Sequence, residues 1–188
     1  MPKSSVAALA LLLAAAVPAQ AKEVAGVNLA DTVTVEGKTL KLNGAGIRKK
    51  FIVKVYVGAL YLENTSTNAA DIIKSDQVKQ VRMTFLRGVE KDKILGAYKE
   101  GFEKNSKDQL ASLQAGLDKL SAALGDMEKG GEMTVTYVPG KGAIVKQPKA
   151  SVTVEGKEFA DALLRNWLGG DPADKGLRDE MLAGKAAQ

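Results

Sequence analysis

The chain has 188 residues, 45% of them hydrophobic, 26% charged and 5% aromatic, with a formal net charge of +5. That is enough for one domain with its own core and too little for two comfortable ones. Histidine and cysteine are both absent, which excludes Ser-His-Asp and Cys-His catalysis, a thiol nucleophile, an iron–sulfur cluster and a Cys/His zinc site.

Met1–Ala21 reads as a secretory signal peptide. Lys3 supplies the positive start, Val6 to Val17 is an apolar run, Pro18 breaks it, and Ala19-Gln20-Ala21 is a small-x-small cleavage site. The run is too short to span a bilayer. It has the character of a bacterial signal, and no lipobox cysteine follows it. The mature chain is therefore expected to start at Lys22, to form one domain over residues 22–188, and to be periplasmic or secreted.

Asp31 to Val35 and Thr39 to Leu42 alternate polar and apolar around Glu36-Gly37-Lys38, a hairpin pattern in which Gly37 supplies a positive φ. Asn43-Gly44-Ala45-Gly46 reads as a flexible joint. Phe51 to Glu63 is the longest strand candidate, with Phe51, Val53, Val55, Val57, Ala59 and Tyr61 on one face and Ile52, Tyr56, Leu60 and Leu62 on the other. Both faces are largely apolar, which predicts a central strand covered on both sides. Val78 to Leu86 is a further strand. From Lys91, Ile94, Leu95, Tyr98 and Phe102 recur at helical spacing. From Asp108, Leu110, Leu113, Leu117, Leu120 and Leu124 make a second stripe. Glu132 to Val138, Ala143 to Val145 and Ser151 to Val154 return to strand patterns. Phe159 to Leu168 is a helix stopped at Gly169-Gly170, and a last helix carries Leu177, Met181 and Leu182. Val33-Thr-Val-Glu-Gly-Lys38 recurs as Val152-Thr-Val-Glu-Gly-Lys157, too rarely for a repeat protein, so both copies read as a strand followed by a turn.

Strands grouped apart from helices point to an α+β fold, an antiparallel sheet with a layer of helices on one face. The missing βαβ alternation argues against a dinucleotide fold, and Gly44-Ala45-Gly46 lacks the third glycine of that fingerprint. Lysines are interspersed with acids, and the longest basic run is Arg48-Lys49-Lys50, so nucleic acid is not an expected partner. No metal or cofactor is implied. No segment of the mature chain is apolar enough to be transmembrane. Nothing sets the oligomeric state, for which a monomer is the default.

Leu42-Asn-Gly-Ala-Gly-Ile-Arg48, followed by Phe51 to Tyr61-Leu-Glu63, resembles the signature of the chalcone isomerase-like family, in which a Gly-x-Gly-x-Arg turn leads into a strand ending in Tyr-Leu-Glu. Met83-Thr-Phe-Leu86, the helix from Lys91, and Ala162-Leu-Leu-Arg-Asn-Trp-Leu-Gly169 continue the resemblance. It implies an open-faced β-sandwich, a large antiparallel sheet under a helical layer, with a ligand cleft between them. Plant members close a flavanone ring by intramolecular oxa-Michael addition, and other members bind fatty acids without known catalysis.

Carried over by position, Arg48 matches the arginine that guides a phenolate or grips a carboxylate, a task for a planar, always-charged fork. Tyr56 stands where the enzyme has a threonine. Tyr98 and Asn105 match a Tyr and an Asn seven residues apart on one helix, and Asn166 stands at a later Thr/Ser. Read from residue type alone, Arg48 also fits a solvated turn, Tyr56 and Tyr98 fit core tyrosines, Asn105 fits a helix end and Asn166 fits an exposed helix face. The bulk of Tyr56 and the scarcity of flavonoids in a bacterial periplasm favour a non-catalytic binder of an amphipathic or anionic small molecule, such as a fatty-acid-like carboxylate. The alternatives are an intramolecular lyase of the chalcone-to-flavanone type and a structural or partner-binding protein. The expected cleft is lined by Ile52, Tyr56, Tyr98, Phe102 and Trp167, with Arg48 directed into it.

Overall fold

Alternating polar and apolar residues, broken by tight turns, build a sheet in chain order. In the computed structural model, which describes residues 22–184, β1 (Lys22–Val24) and β2 (Val27–Leu29) form a small separate hairpin. The main sheet follows: β3 (Thr32–Val35), β4 (Lys38–Lys50), β5 (Val53–Leu62), β6 (Lys79–Phe85), β7 (Glu132–Val138), β8 (Gly142–Gln147) and β9 (Ala150–Val154). Each is antiparallel to the next, and the sheet curls into a half-barrel. Among the described residues the sheet is joined by five α-helices, α1 (Ala69–Lys74), α2 (Lys91–Asn105), α3 (Leu110–Ala123), α4 (Lys157–Leu168) and α5 (Lys175–Leu182). The expected α+β architecture is what is observed. The signal peptide reading concerns residues 1–21, which lie outside the described ones.

Side-chain alternation on β5 places one apolar set on each face of the sheet. Leu60 and Leu62 join a large cluster with Phe102 of α2, Leu113 and Leu120 of α3, and Leu163 and Trp167 of α4. Val57, Ala59 and Tyr61 join a smaller cluster with Leu29, Leu40, Val78 and Val138. The central, doubly covered strand is thus as the pattern predicts. The β3–β4 turn is also as expected: Glu36 and Gly37 both have positive φ, 49° and 75°, the type I′ geometry that suits strand twist. The second copy of that hexamer ends β9 and turns at Gly156 (φ 93°) into α4.

Three features differ from the sequence expectation. Asn43–Gly46 is not a joint but the middle of β4, and all four residues are buried. The glycines serve close packing: α5 crosses them, and a Cβ on Gly44 would meet the backbone carbonyls of Glu180 and Met181. Asn43 is the extra residue of a β-bulge between Leu42 and Gly44. Its side chain bonds Met181 O at 2.8 Å and the backbone of Ser66, tying α5 to the sheet. Second, β5 starts at Val53. Phe51 and Ile52 form the two-residue turn between Lys50 and Val53, so Ile52 stands 95% exposed at a hairpin tip rather than in a cleft. Third, β1, β2 and α1 are too short to show a period.

Candidate ligand-binding site

The site begins with a slip in the β4–β5 register. Arg48 pairs with Tyr56 but Lys49 pairs with Lys54, so Val55 is an extra residue on β5. A bulge of this kind re-aims the side chains beside it. Val55 and Tyr56 both enter the core on the helical side. The Arg48 guanidinium then lies over the Tyr56 ring, 5.7 Å from its centroid, within cation–π range.

Above this corner α2 supplies Lys93, Ile94, Ala97 and Tyr98, one helical face. Helix α4 supplies Asn166 and Trp167, and the sheet supplies Met83, Phe85 and Met133. Together they enclose a cavity of about 50 Å³. Trp167 Nε1 donates to the Tyr56 hydroxyl at 2.8 Å. The Tyr98 ring meets Trp167 edge-on, with centroids 6.1 Å apart. Among the described residues its hydroxyl has the Met133 sulfur, 3.8 Å away, as its hydrogen-bonding partner, a weak acceptor. Asn166 Nδ2 donates to Leu163 O at 2.9 Å, while its buried Oδ1 has no partner among the described residues.

The electrostatics are one-sided. Burial pushes both phenol pKa values up, against the pull of Arg48 on each and the Trp167 hydrogen bond on Tyr56. Both hydroxyls therefore stay neutral at ordinary pH and act as hydrogen-bond donors rather than bases. No carboxylate lines the cavity. Among the described residues neither Arg48 nor Lys93 is in an ion pair. The arrangement is an apolar slot with two neutral hydroxyls and a free cationic fork at its edge, which suits an oxyanion attached to an apolar body.

Of the residues singled out in the sequence, Arg48, Tyr56, Tyr98, Asn166 and Trp167 are brought together. Asn105 and Phe102 are not among the lining residues. Asn105 is seven residues beyond Tyr98, about 10 Å further along the helix axis. There its side chain bonds Gly101 O, Asp171 O and Asp171 N at 2.8–3.0 Å, pinning the segment that leaves α4. Phe102 packs edge-on against Phe159 with centroids 5.6 Å apart. The sequence reading missed Lys93, although its place four residues before Ala97 puts it at the margin of the face that carries Ile94 and Tyr98.

The model of the chalcone isomerase-like family matches residues 21–183. The chain belongs to that family. A search of solved structures finds a fatty-acid binding protein of Arabidopsis thaliana, at 16% identity and a TM-score of 0.65, covering 84% of this chain and 92% of that one. At that identity the likeness shows a shared fold. No curated protein sequence matches this member of the chalcone isomerase-like family. Among the described residues no helix is long and apolar enough to cross a membrane, and no cluster of acidic side chains has the makings of a metal site.

Proposed function

We propose that this chalcone isomerase-like protein is a non-catalytic carrier of a small amphipathic anion, such as a fatty-acid-like carboxylate, acting in the periplasm or outside the cell. The observation that carries the reading is the free Arg48 guanidinium at the edge of an apolar cavity whose lining holds no acid. An unpaired, partly buried cation beside neutral phenols has its binding energy available for a carboxylate. The Arabidopsis relative is described as a fatty-acid binding protein, and the amino-terminal segment reads as a secretion signal.

At about 50 Å³ the cavity holds a few waters, each needing about 10–15 Å³. An acyl chain therefore requires it to widen. Met83 and Met133 line it, and unbranched thioether side chains re-pack more readily than branched ones. Flavanone formation is not favoured: Tyr56 puts bulk where the enzyme has a threonine, and its hydroxyl is already engaged by Trp167.

The test is titration of a fatty acid and the matching fatty alcohol against wild type, Arg48→Ala and Arg48→Lys, with thermal melts as a folding control. A charge-assisted hydrogen bond contributes about 1.5–3 kcal/mol, so Arg48→Ala should weaken acid binding about ten- to a hundredfold. Arg48→Lys should recover part of it, since the ammonium keeps the charge and loses the fork. The alcohol should bind all three proteins alike. Equal losses for acid and alcohol would reduce Arg48 to a wall of the pocket. Turnover of a chalcone by wild type and not by Arg48→Ala would replace the carrier reading with the isomerase one.

A further inference from the structure

The β4–β5 hairpin ends in an arrangement that stability alone does not explain. Phe51 is 91% exposed, Ile52 95% and Val53 37%, and these are the exposed large apolar side chains of the described surface. The two turn positions of a tight hairpin favour Asn-Gly or Gly-x, because φ is positive there. Here Phe51 takes a φ of 57°, a conformation that a bulky residue adopts at a cost. The sequence thus places apolar bulk at the one point of the hairpin where local structure disfavours it and no neighbour covers it.

The surroundings of the tip state what it meets. Lys49 and Lys50 precede it, Lys54 follows it, and all three are exposed. Among the described residues none of the three is in an ion pair. Two acids lie near these lysines, and the carboxylates of both have other partners than the ammonium groups: Asp174 accepts the backbone N–H of Lys49 and caps α5, and Glu100 pairs with Lys104. An apolar wedge flanked by three exposed, unpaired lysines matches a bilayer surface, where apolar side chains enter the acyl boundary and lysines meet anionic headgroups. We propose that the Phe51-Ile52 tip docks this protein on an anionic lipid bilayer, with Lys49, Lys50 and Lys54 on the headgroups. The docking stands on the tip alone and does not need the cavity to hold a ligand. It would set the edge of that cavity close to the membrane, since Arg48 and Tyr56 lie next to the tip on the same two strands.

The test is flotation with vesicles of phosphatidylcholine alone and of phosphatidylcholine with phosphatidylglycerol. It uses wild type, Phe51→Ser/Ile52→Ser, and Lys49→Gln/Lys50→Gln/Lys54→Gln, all with the same amino terminus. Wild type should bind the anionic vesicles, release with salt, and bind neutral vesicles at least about tenfold more weakly. Both variants should lose at least about tenfold in partitioning at little-changed melting temperature, because the altered side chains are exposed. Ile52→Trp should add a blue-shifted emission on anionic vesicles to that of the buried Trp167. Failure of wild type to bind anionic vesicles, or undiminished binding by the serine variant, would overturn the proposal. So would a concentration-dependent dimer that the serine variant abolishes while vesicles go unbound, which would assign the tip to a second copy. A fatty acid that binds normally to the serine variant would leave the carrier reading intact whatever the vesicles show.

Discussion

Tyr98 keeps its hydroxyl in a buried slot with a thioether as its hydrogen-bonding partner. Burial pushes its pKa up, the neighbouring Tyr56 adds to this, and Arg48 opposes it. The unfolded chain releases this proton near pH 10, whereas the folded one holds it longer. The neutral hydroxyl therefore contributes fully below about pH 10, and its contribution is lost as the pH climbs beyond that. Urea midpoints of wild type should fall between pH 10 and 11, and Tyr98→Phe should fall less over the same interval. Near pH 7 the substitution should cost less than about 1 kcal/mol, since the thioether is a weak acceptor. A phenylalanine variant that follows the wild-type profile at every pH would mean that the Tyr98 hydroxyl reaches water. At this scale the sequence was informative where a residue type and its helical face agreed: Tyr98 and Trp167 sit on apolar faces and line the cavity. It left Asn105 open between the cavity and a helix end, because a seven-residue spacing fixes the face and not the distance along the axis; the residue closes α2, outside the cavity lining.

Helix α5 and strand β4 show the same limit for elements. Gly44 and Gly46 looked like a hinge because glycine loosens a chain, but the cause of both is the helix that crosses them. The two positions should answer differently to one methyl group. At Gly44 a Cβ meets the carbonyls of Glu180 and Met181, which are backbone and cannot turn away. At Gly46 it meets only the Glu180 side chain, whose carboxyl end can swing out after giving up its 3.2 Å hydrogen bond from the Ile47 N–H, leaving the smaller overlap with Glu180 Cβ at 2.8 Å. Gly44→Ala should therefore destabilise by about 3 kcal/mol, at the upper end of overpacking costs, and Gly46→Ala by about 1 kcal/mol. Chemical denaturation of both variants checks the order, and equal costs would show that α5 shifts as a body. Helix α1 was invisible for a related reason. It has six residues, too few for a period, and is held by its ends: Asn68 accepts from Ala70 and Asp71 N–H, and the buried Lys79 ammonium donates to the carbonyls of Ile72, Ile73 and Ser75 at 2.7–2.8 Å. The lysine comes from β6, so only the assembled fold brings it there. Strands β5 and β7 were legible because both obey the two-residue period over seven residues or more.

Across the whole molecule, one sheet is the wall of both apolar clusters. Strand β5 sends Leu60 and Leu62 to one and Val57, Ala59 and Tyr61 to the other, so neither cluster can come apart without exposing a face of the strand that the other needs. The connectivity points the same way: the strands follow in chain order, and α5 returns from the end of the chain to pack on β4, near its start. Unfolding should therefore be a single transition. Trp167 is the one tryptophan of the chain and is 3% exposed on the helical side, so its fluorescence reports the helix–sheet contact while far-UV circular dichroism reports the sheet as well. The two melts should superimpose. With no cysteine in the sequence and no metal-holding cluster of acidic side chains among the described residues, neither reductant nor chelator should move the midpoint. A fluorescence transition that precedes the dichroism one would mean that the helices leave a sheet that survives them, held by the smaller cluster around Leu40 and Tyr61. That outcome would separate the cavity from the sheet as a folding unit.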